Sequence, residues 1–189
     1  MSEIYWAPKQ VERRLYRSNG SHKSTLNHIP ALCQAQPIIK FGEPLKQIYT
    51  REQLIQLLDE QMELSVSLDY PLCLAVAEFR LNSEITEELG SLILFSVARL
   101  INLILRPTDI VIRYGNKMVA FILHESNEQG GRCAVTRLTE RLSQGVTVEE
   151  KKIQLIPSFG ISANLVGETK PADRLLVNAE NALWALRGW

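Results

Sequence analysis

The side chains best suited to hold a transition metal are Cys33, Cys73, Cys133, His22, His28 and His124. Their wide spacing forms neither a CxxC nor a cysteine–histidine metal pattern. An odd number of scattered cysteines fits free thiols in a reducing compartment better than a disulfide frame. Cys73 and Cys133 fall in apolar patterns, which predicts core packing. His124 ends an apolar run, where facing solvent or capping is expected before catalysis. A second cluster lies near the N-terminus, where Tyr5, Trp6, Arg13, Arg14, Tyr16 and Arg17 interleave aromatic and basic groups. Such a mixture suits RNA, or an acidic protein surface. A solvated tail with some docked aromatics accounts for the same residues and is preferred. The third stretch is RPTDIVIRYGNKMVAFIL, residues 106–123, which reads as two strands around a tight turn. Asn116, Lys117 and Met118 stand at that turn, where glycine and carboxylates would make a phosphate and metal site.

Regular elements must position these groups. Thr50 followed by Gln53 is a capping-box signal, and Leu54, Leu57, Leu58 and Met62 then share one helical face. After Pro71, LCLAVAEF is a continuous apolar run, as in a strand buried on both faces. Ser83 can cap a second helix that stops at Pro107, and its apolar residues circle most of it, which predicts deep packing. DIVIRY and MVAFIL are strands joined by the Gly115-Asn116 turn. Ser126 with Gln129 suggests a further capping box, and Val135, Leu138 and Leu142 continue that helix. KIQLIPSFGISAN reads as one long strand. Pro171 opens a last helix with Leu175, Leu176, Ala179, Leu183 and Leu186 on it, Trp184 expected in the core, and Gly188 as its C-cap. From Pro71 onward the order is βαββαβ, a split pattern with helices on one face of a sheet.

Hydrophobic residues make up 46% of the 189, enough for a real core, and Lys+Arg balances Asp+Glu at 21 each. The balance is uneven along the chain. Residues 1–48 carry seven basic and three acidic groups and are punctuated by Pro8, Gly20, Pro30, Pro37, Gly42 and Pro44. They read as a basic arm, followed by a folded domain over 49–189. The N-terminus lacks the apolar core of a secretory signal. The apolar run Leu92–Leu105 is interrupted by Ser96, Arg99 and Asn102, too polar to span a bilayer. A cytoplasmic protein is expected.

With these elements in place, residues 50–187 resemble a GGDEF domain, the diguanylate cyclase fold. The RPTD…RYGNKMV hairpin is similar to the family's, in which an arginine, two residues and an aspartate precede RYGGDEF. PSFGIS is similar to its SIGVA strand, and LLVNAENALWALRG to its last helix, LL..AD.ALY.AK. PLCLAVAEF is similar to the strand that ends in its metal aspartate. The resemblance implies an α+β fold with a ferredoxin-like βαββαβ core of nucleotide-cyclase type and an extra helix at each end. The departures concern chemistry. The GGDEF signature stands as Gly115-Asn116-Lys117-Met118-Val119. Lys117 places a cation where a carboxylate should face one, and Met118 offers no hard oxygen to magnesium. Glu78 takes the place of the metal aspartate, and Thr86 that of the asparagine that reads guanine. The stretch from Gly90 to Arg106 is a few residues shorter than the family's, which removes a further base contact. A domain that does not make cyclic di-GMP is expected, with no catalytic residue, metal or cofactor.

The family also has a product-binding site away from catalysis, and Arg106, Asp109 and Arg137 match its residues. Arginine forks grip phosphate and the guanine Hoogsteen edge, and an aspartate accepts from guanine N–H groups. The same residues have structural uses: Arg106 suits a helix C-terminus, and Asp109 suits local amides after a proline turn. The expectation is a small regulatory adaptor that binds a protein through the arm or the former active-site face, with cyclic di-GMP as a candidate regulator. Residues 1–48 are too short to hold an input module. A structural interaction subunit without a nucleotide ligand is the alternative. A divergent nucleotide-processing enzyme using Glu78 with Glu84 or Glu87 is less favoured, as is nucleic-acid binding through the arm.

Overall fold

The computed structural model describes residues 48–81, 87–114, 118–168 and 170–185. The arm residues Tyr5, Trp6, Arg13, Arg14, Tyr16 and Arg17 lie outside the described residues. So do Ser83, Glu84, Thr86, Gly115, Asn116, Lys117, Leu186 and Gly188. Along the chain come β1 (Ile48–Tyr49), α1 (Arg51–Ser67), β2 (Leu72–Leu81), α2 (Glu87–Ile104), β3 (Ile110–Tyr114) and β4 (Met118–Leu123). There follow α3 (Glu128–Ser143), β5 (Val146–Val148), β6 (Lys151–Ile153), β7 (Leu155–Asn164) and α4 (Ala172–Ala185).

The expected βαββαβ order is present as β2-α2-β3-β4-α3-β7. These strands form an antiparallel sheet, and β1 adds a short parallel edge to β3, giving the order β1-β3-β4-β2-β7. β2 lies inside the sheet, paired with β4 from Cys73 to Glu78 and with β7 along its whole length. Period-2 alternation then sends its side chains to opposite faces. Cys73, Ala75 and Ala77 join Ile93, Val97 and Ile101 of α2 and Leu138 and Leu142 of α3 in one core. Leu72, Leu74 and Val76 join Leu54 and Leu58 of α1 and Leu175, Leu176, Ala179 and Leu183 of α4 in another. The two helices within the pattern share one face, as expected, and the two terminal helices cover the other.

Two glycines let helices sit directly on strands. A Cβ on Gly131 of α3 would collide with Cys73 Sγ, and one on Gly160 of β7 with the Ala179 carbonyl and Leu183 amide of α4. α1 begins at the expected box: Thr50 Oγ1 accepts from the Gln53 amide at 3.2 Å, and Gln53 Oε1 from the Thr50 amide at 2.8 Å.

Other expectations are corrected. The N-cap of α3 is Asn127, whose side chain accepts from the Gly130 amide at 2.9 Å, while Ser126 Oγ donates to the His124 carbonyl. α2 is not packed all round, since Leu103 is 76% and Leu92 42% exposed. Trp184 is 49% exposed, and Cys133 is exposed while Cys73 is buried. The long strand divides at Gln154 into β6 and β7, and β5–β6 is a separate hairpin. Its turn places Glu149 and Glu150 at φ 48° and 65°, a conformation that asparagine and glycine adopt more readily.

Candidate functional site

Pro107 cannot continue α2, and the chain turns at once. The Asp109 amide donates to the Arg106 carbonyl at 3.0 Å. Asp109 Oδ2 accepts from the Arg106 amide at 2.9 Å. The aspartate thus closes the turn that carries the arginine, with Pro107 at the position where its fixed φ suits a turn. Oδ2 takes that bond; the other oxygen, Oδ1, is buried with no well-formed hydrogen bond, although the His124 main-chain amide lies beside the carboxyl. Burial pushes the Asp109 carboxyl above its ordinary value, opposed by the Arg106 and His124 amides and by the charges of those residues.

The turn faces α3. Ser126, Asn127, Gly130, Cys133, Ala134 and Arg137 recur at helical spacing and line one wall of a cavity of about 230 Å³. Arg106 and Asp109 line it as well, with Pro71, Leu123 and Glu125. Arg106, Asp109 and Arg137 therefore meet at one cavity. Glu125 takes φ 50°, in the left-handed region. The Ser126 amide donates to the Pro71 carbonyl at 3.0 Å and fastens this loop to the start of β2. Neither Arg106 nor Arg137 is in an ion pair among the described residues, whereas Arg132 binds Glu128 and Arg51 binds Glu180.

Sequence reasoning missed part of this wall. Cys133 was expected in the core, but its place one helical turn before Arg137 puts it on the cavity side. His124 was expected to face solvent or to cap, but it is buried, with Nε2 3.0 Å from Gln61 Oε1 of α1. Tyr70 meets the imidazole edge-on at 5.9 Å between centroids. Burial lowers the basicity of His124, against the opposing influence of the Asp109 charge, the Thr108 carbonyl and Glu125.

The positions that match the family's catalytic residues are only partly described. Glu78 on β2 stands directly across from Met118 on β4 and from Ser158 on β7. The cross-strand neighbour of the carboxylate is thus a thioether. Among the described residues no group of three His, Cys, Asp or Glu side chains could hold a metal ion. A second cavity, of about 410 Å³, is lined by Ile48, Tyr49, Thr50, Arg51, Tyr114 and Met118. Beside it Glu180 of α4, only 7% exposed, accepts from Arg51 at 3.1 Å and from the Tyr114 hydroxyl at 3.3 Å. No described helix is long and apolar enough to cross a membrane.

Solved structures share this fold. The diguanylate cyclase SiaD of Pseudomonas aeruginosa, solved in complex with its activator SiaC, matches with a TM-score of 0.62 and 21% identity over 74% of this chain. The present chain spans about half, 55%, of that SiaD chain. The FimX GGDEF domain, also from Pseudomonas aeruginosa, matches at 0.59 and 19% identity over 73% of this chain and 88% of its own. The coiled coil and GGDEF domain of DgcB from Caulobacter crescentus, in complex with c-di-GMP, matches at 0.61 and 18% identity over 74% of this chain and 76% of its own. Curated proteins gave no sequence match. The sequence profile described as "Diguanylate cyclase, GGDEF domain" matches residues 43–187, from the approach to β1 past the end of α4. With that match over most of its length, and a sheet, helix order and fold neighbours of the same kind, the chain belongs to the GGDEF domain family.

Proposed function

We propose that this chain is a non-catalytic member of its family, a regulatory adaptor that binds a protein partner under the control of cyclic di-GMP held by Arg106, Asp109 and Arg137. The observation that carries the reading is the meeting of these three side chains at one cavity, with both guanidinium groups outside any described ion pair. Each arginine can offer a planar fork to a phosphate or a guanine edge, and the Asp109 carboxylate lines the same cavity as an acceptor for a guanine N–H. A cavity of about 230 Å³ is smaller than the ~300–1,000 Å³ of drug-sized sites, so it takes one base-and-phosphate portion of a larger ligand. That DgcB was solved with c-di-GMP, and SiaD with an activator protein, makes both kinds of partner reasonable for a relative.

Loss of cyclase chemistry is supported by the signature Gly115-Asn116-Lys117-Met118-Val119 and by the placing of Glu78 opposite Met118. The basic arm, residues 1–48, is the proposed partner contact, ordering on a surface as a Pro- and Gly-punctuated segment can. The folded part, 49–189, is the proposed ligand-reading domain, working in the cytoplasm. Titration calorimetry of cyclic di-GMP into the protein, with Arg106→Ala alongside, tests the reading. Micromolar binding that the substitution abolishes is expected.

One observation favours a purely structural reading. Asp109 already closes the turn through the Arg106 amide without any ligand. Absence of heat at millimolar ligand would leave that role alone. Magnesium-dependent turnover of GTP or ATP, lost in Glu78→Gln, would instead establish an enzyme. Steeply salt-dependent RNA binding, lost on removal of residues 1–20, would point to nucleic acid.

A further inference from the structure

Among the described residues, three buried side-chain atoms lack a hydrogen-bond partner: Gln61 Nε2, His124 Nδ1 and Asp109 Oδ1. Gln61 of α1 bonds the His124 ring, and the ring in turn neighbours Thr108 and Asp109 of the turn beside the cavity. When His124 Nε2 donates to Gln61 Oε1, at 3.0 Å, Nδ1 of the neutral ring is a bare acceptor. The groups toward the turn are the Thr108 carbonyl and the Asp109 carboxylate, both acceptors too. Asp109 already has the His124 main-chain amide beside it. The bond left unmade at this end is therefore the one between Nδ1 and the Thr108 carbonyl, two acceptors with no proton to share, and an unmade buried hydrogen bond is costly.

We propose that His124 is a positioning residue for the Arg106–Asp109 turn, and that a proton taken up on its Nδ1 joins the ring to the turn and tightens the hold on a phosphate-bearing ligand. The inference rests on reading the cavity as a cyclic di-GMP site. The step moves one proton from solvent to the ring and leaves every other bond unchanged. The imidazolium then donates at both nitrogens, to Gln61 Oε1 and to the Thr108 carbonyl. It also keeps Asp109 ionised, hence an acceptor for guanine N–H. The charged and titratable groups around the ring are Asp109 from the turn, which itself has Arg106 beside it, Glu125 from its own loop and Tyr70 from the loop before β2. α1 contributes Gln61, which does not titrate.

Burial holds this proton off the ring in the free protein. A ligand phosphate beside Arg106 attracts it. Binding and protonation therefore promote each other, and affinity rises as pH falls through the value to which the ligand lifts His124, levelling off below its lowered value in the free protein. One proton taken up per ligand limits the rise to about tenfold per pH unit.

Nitrogen-15 NMR of the imidazoles tests this in the full chain, with His124→Asn identifying the signal among three histidines. The His124 titration is expected below the ordinary value, shifted upward by cyclic di-GMP and downward by Asp109→Asn. Calorimetry is expected to show affinity rising on acidification in the native protein and much less so in His124→Asn, checked for native fold by circular dichroism. A ring that stays neutral from about pH 5 to 8 with ligand present would overturn the proposal, as would equal pH dependence in the two proteins. If cyclic di-GMP binds at no pH, the reading of the cavity itself fails. The coupling of His124 to the turn then stands or falls on whether Asp109→Asn moves the His124 titration.

Discussion

Replacing Gly160 by alanine sets one methyl group against the backbone of a helix. The new Cβ would fall on the Ala179 carbonyl and Leu183 amide and lie 2.9 Å from Leu183 Cα. Carbon atoms rest ~3.5–4.0 Å apart, so α4 must withdraw by roughly 1 Å. Leu175, Leu176 and Leu183, all fully buried, then lose contact with the sheet. If each leucine has about 20 sheet-facing contacts of ~0.1 kcal/mol, a gap of that size forfeits about a quarter to a half. The loss is ~0.5–1 kcal/mol per leucine and ~1.5–3 kcal/mol together, in the usual range for overpacked cores. Thermal unfolding should fall by ~3–12 °C for a chain of this size. Gly167→Ala is the control: φ is +81° and nothing lies within 4 Å, so only the left-handed backbone is penalised, by about 1 kcal/mol. Ala179→Gly should not rescue Gly160→Ala, because the obstacle is a carbonyl and not a side chain. A Gly160→Ala protein as stable as Gly167→Ala, or one restored by Ala179→Gly, would refute the reasoning.

Tyr114→Phe should cost about 1 kcal/mol by removing one donor to buried Glu180, and Glu180→Ala more, since it strands the Tyr114 hydroxyl and parts it from Arg51; denaturant unfolding of both and of the double variant measures the coupling. Native protein should react with a maleimide at Cys133, which cyclic di-GMP should shield because that thiol lines the cavity. Cys73, its thiol pushed up to about 12 by burial, should label only on unfolding, as peptide mass spectrometry would show. Burial raises Asp109 above its unfolded value, so its contribution to stability is full in acid and is lost as pH rises through the raised value. Burial lowers His124, so stability is lost as pH falls from ~6.5 through the lowered value. Denaturant midpoints across pH should show the first slope vanish in Asp109→Asn and the second in His124→Asn.

Where a signal is local, the sequence carried it. The Thr50–Gln53 box depends on four consecutive residues, and the Leu54, Leu58 and Met62 stripe on one helix. β2 was legible because pairing on both sides and helices on both faces leave no place for a polar alternation. The Arg106–Asp109 turn was legible as well, since its closing bonds span only three residues. The β5–β6 hairpin was not, because Glu149 and Glu150 adopt positive φ without being the residues that announce it. The start of α3 was misplaced by one position because Ser126 and Asn127 are both good caps, and the one with the free side chain is decided by Ser126 bonding the His124 carbonyl. The exposure of Cys133 and Trp184 and the burial of His124 depend on what packs across from each, which no local pattern records. Gly160 gives the SFGIS motif a packing reason, separate from any chemistry of the hairpin.

The sheet divides the interior into two apolar compartments that share strands but few side chains. α1 and α4 close one compartment, α2 and α3 the other. Amide hydrogens of α1 and α4 should therefore exchange together, through a partial opening that leaves α3 and its cavity wall protected. The His124–Gln61 bond ties the end of β4 to α1 and acts as a latch on that opening. A ligand that fastens His124 would slow exchange in α1, on the far side of the sheet from where it binds.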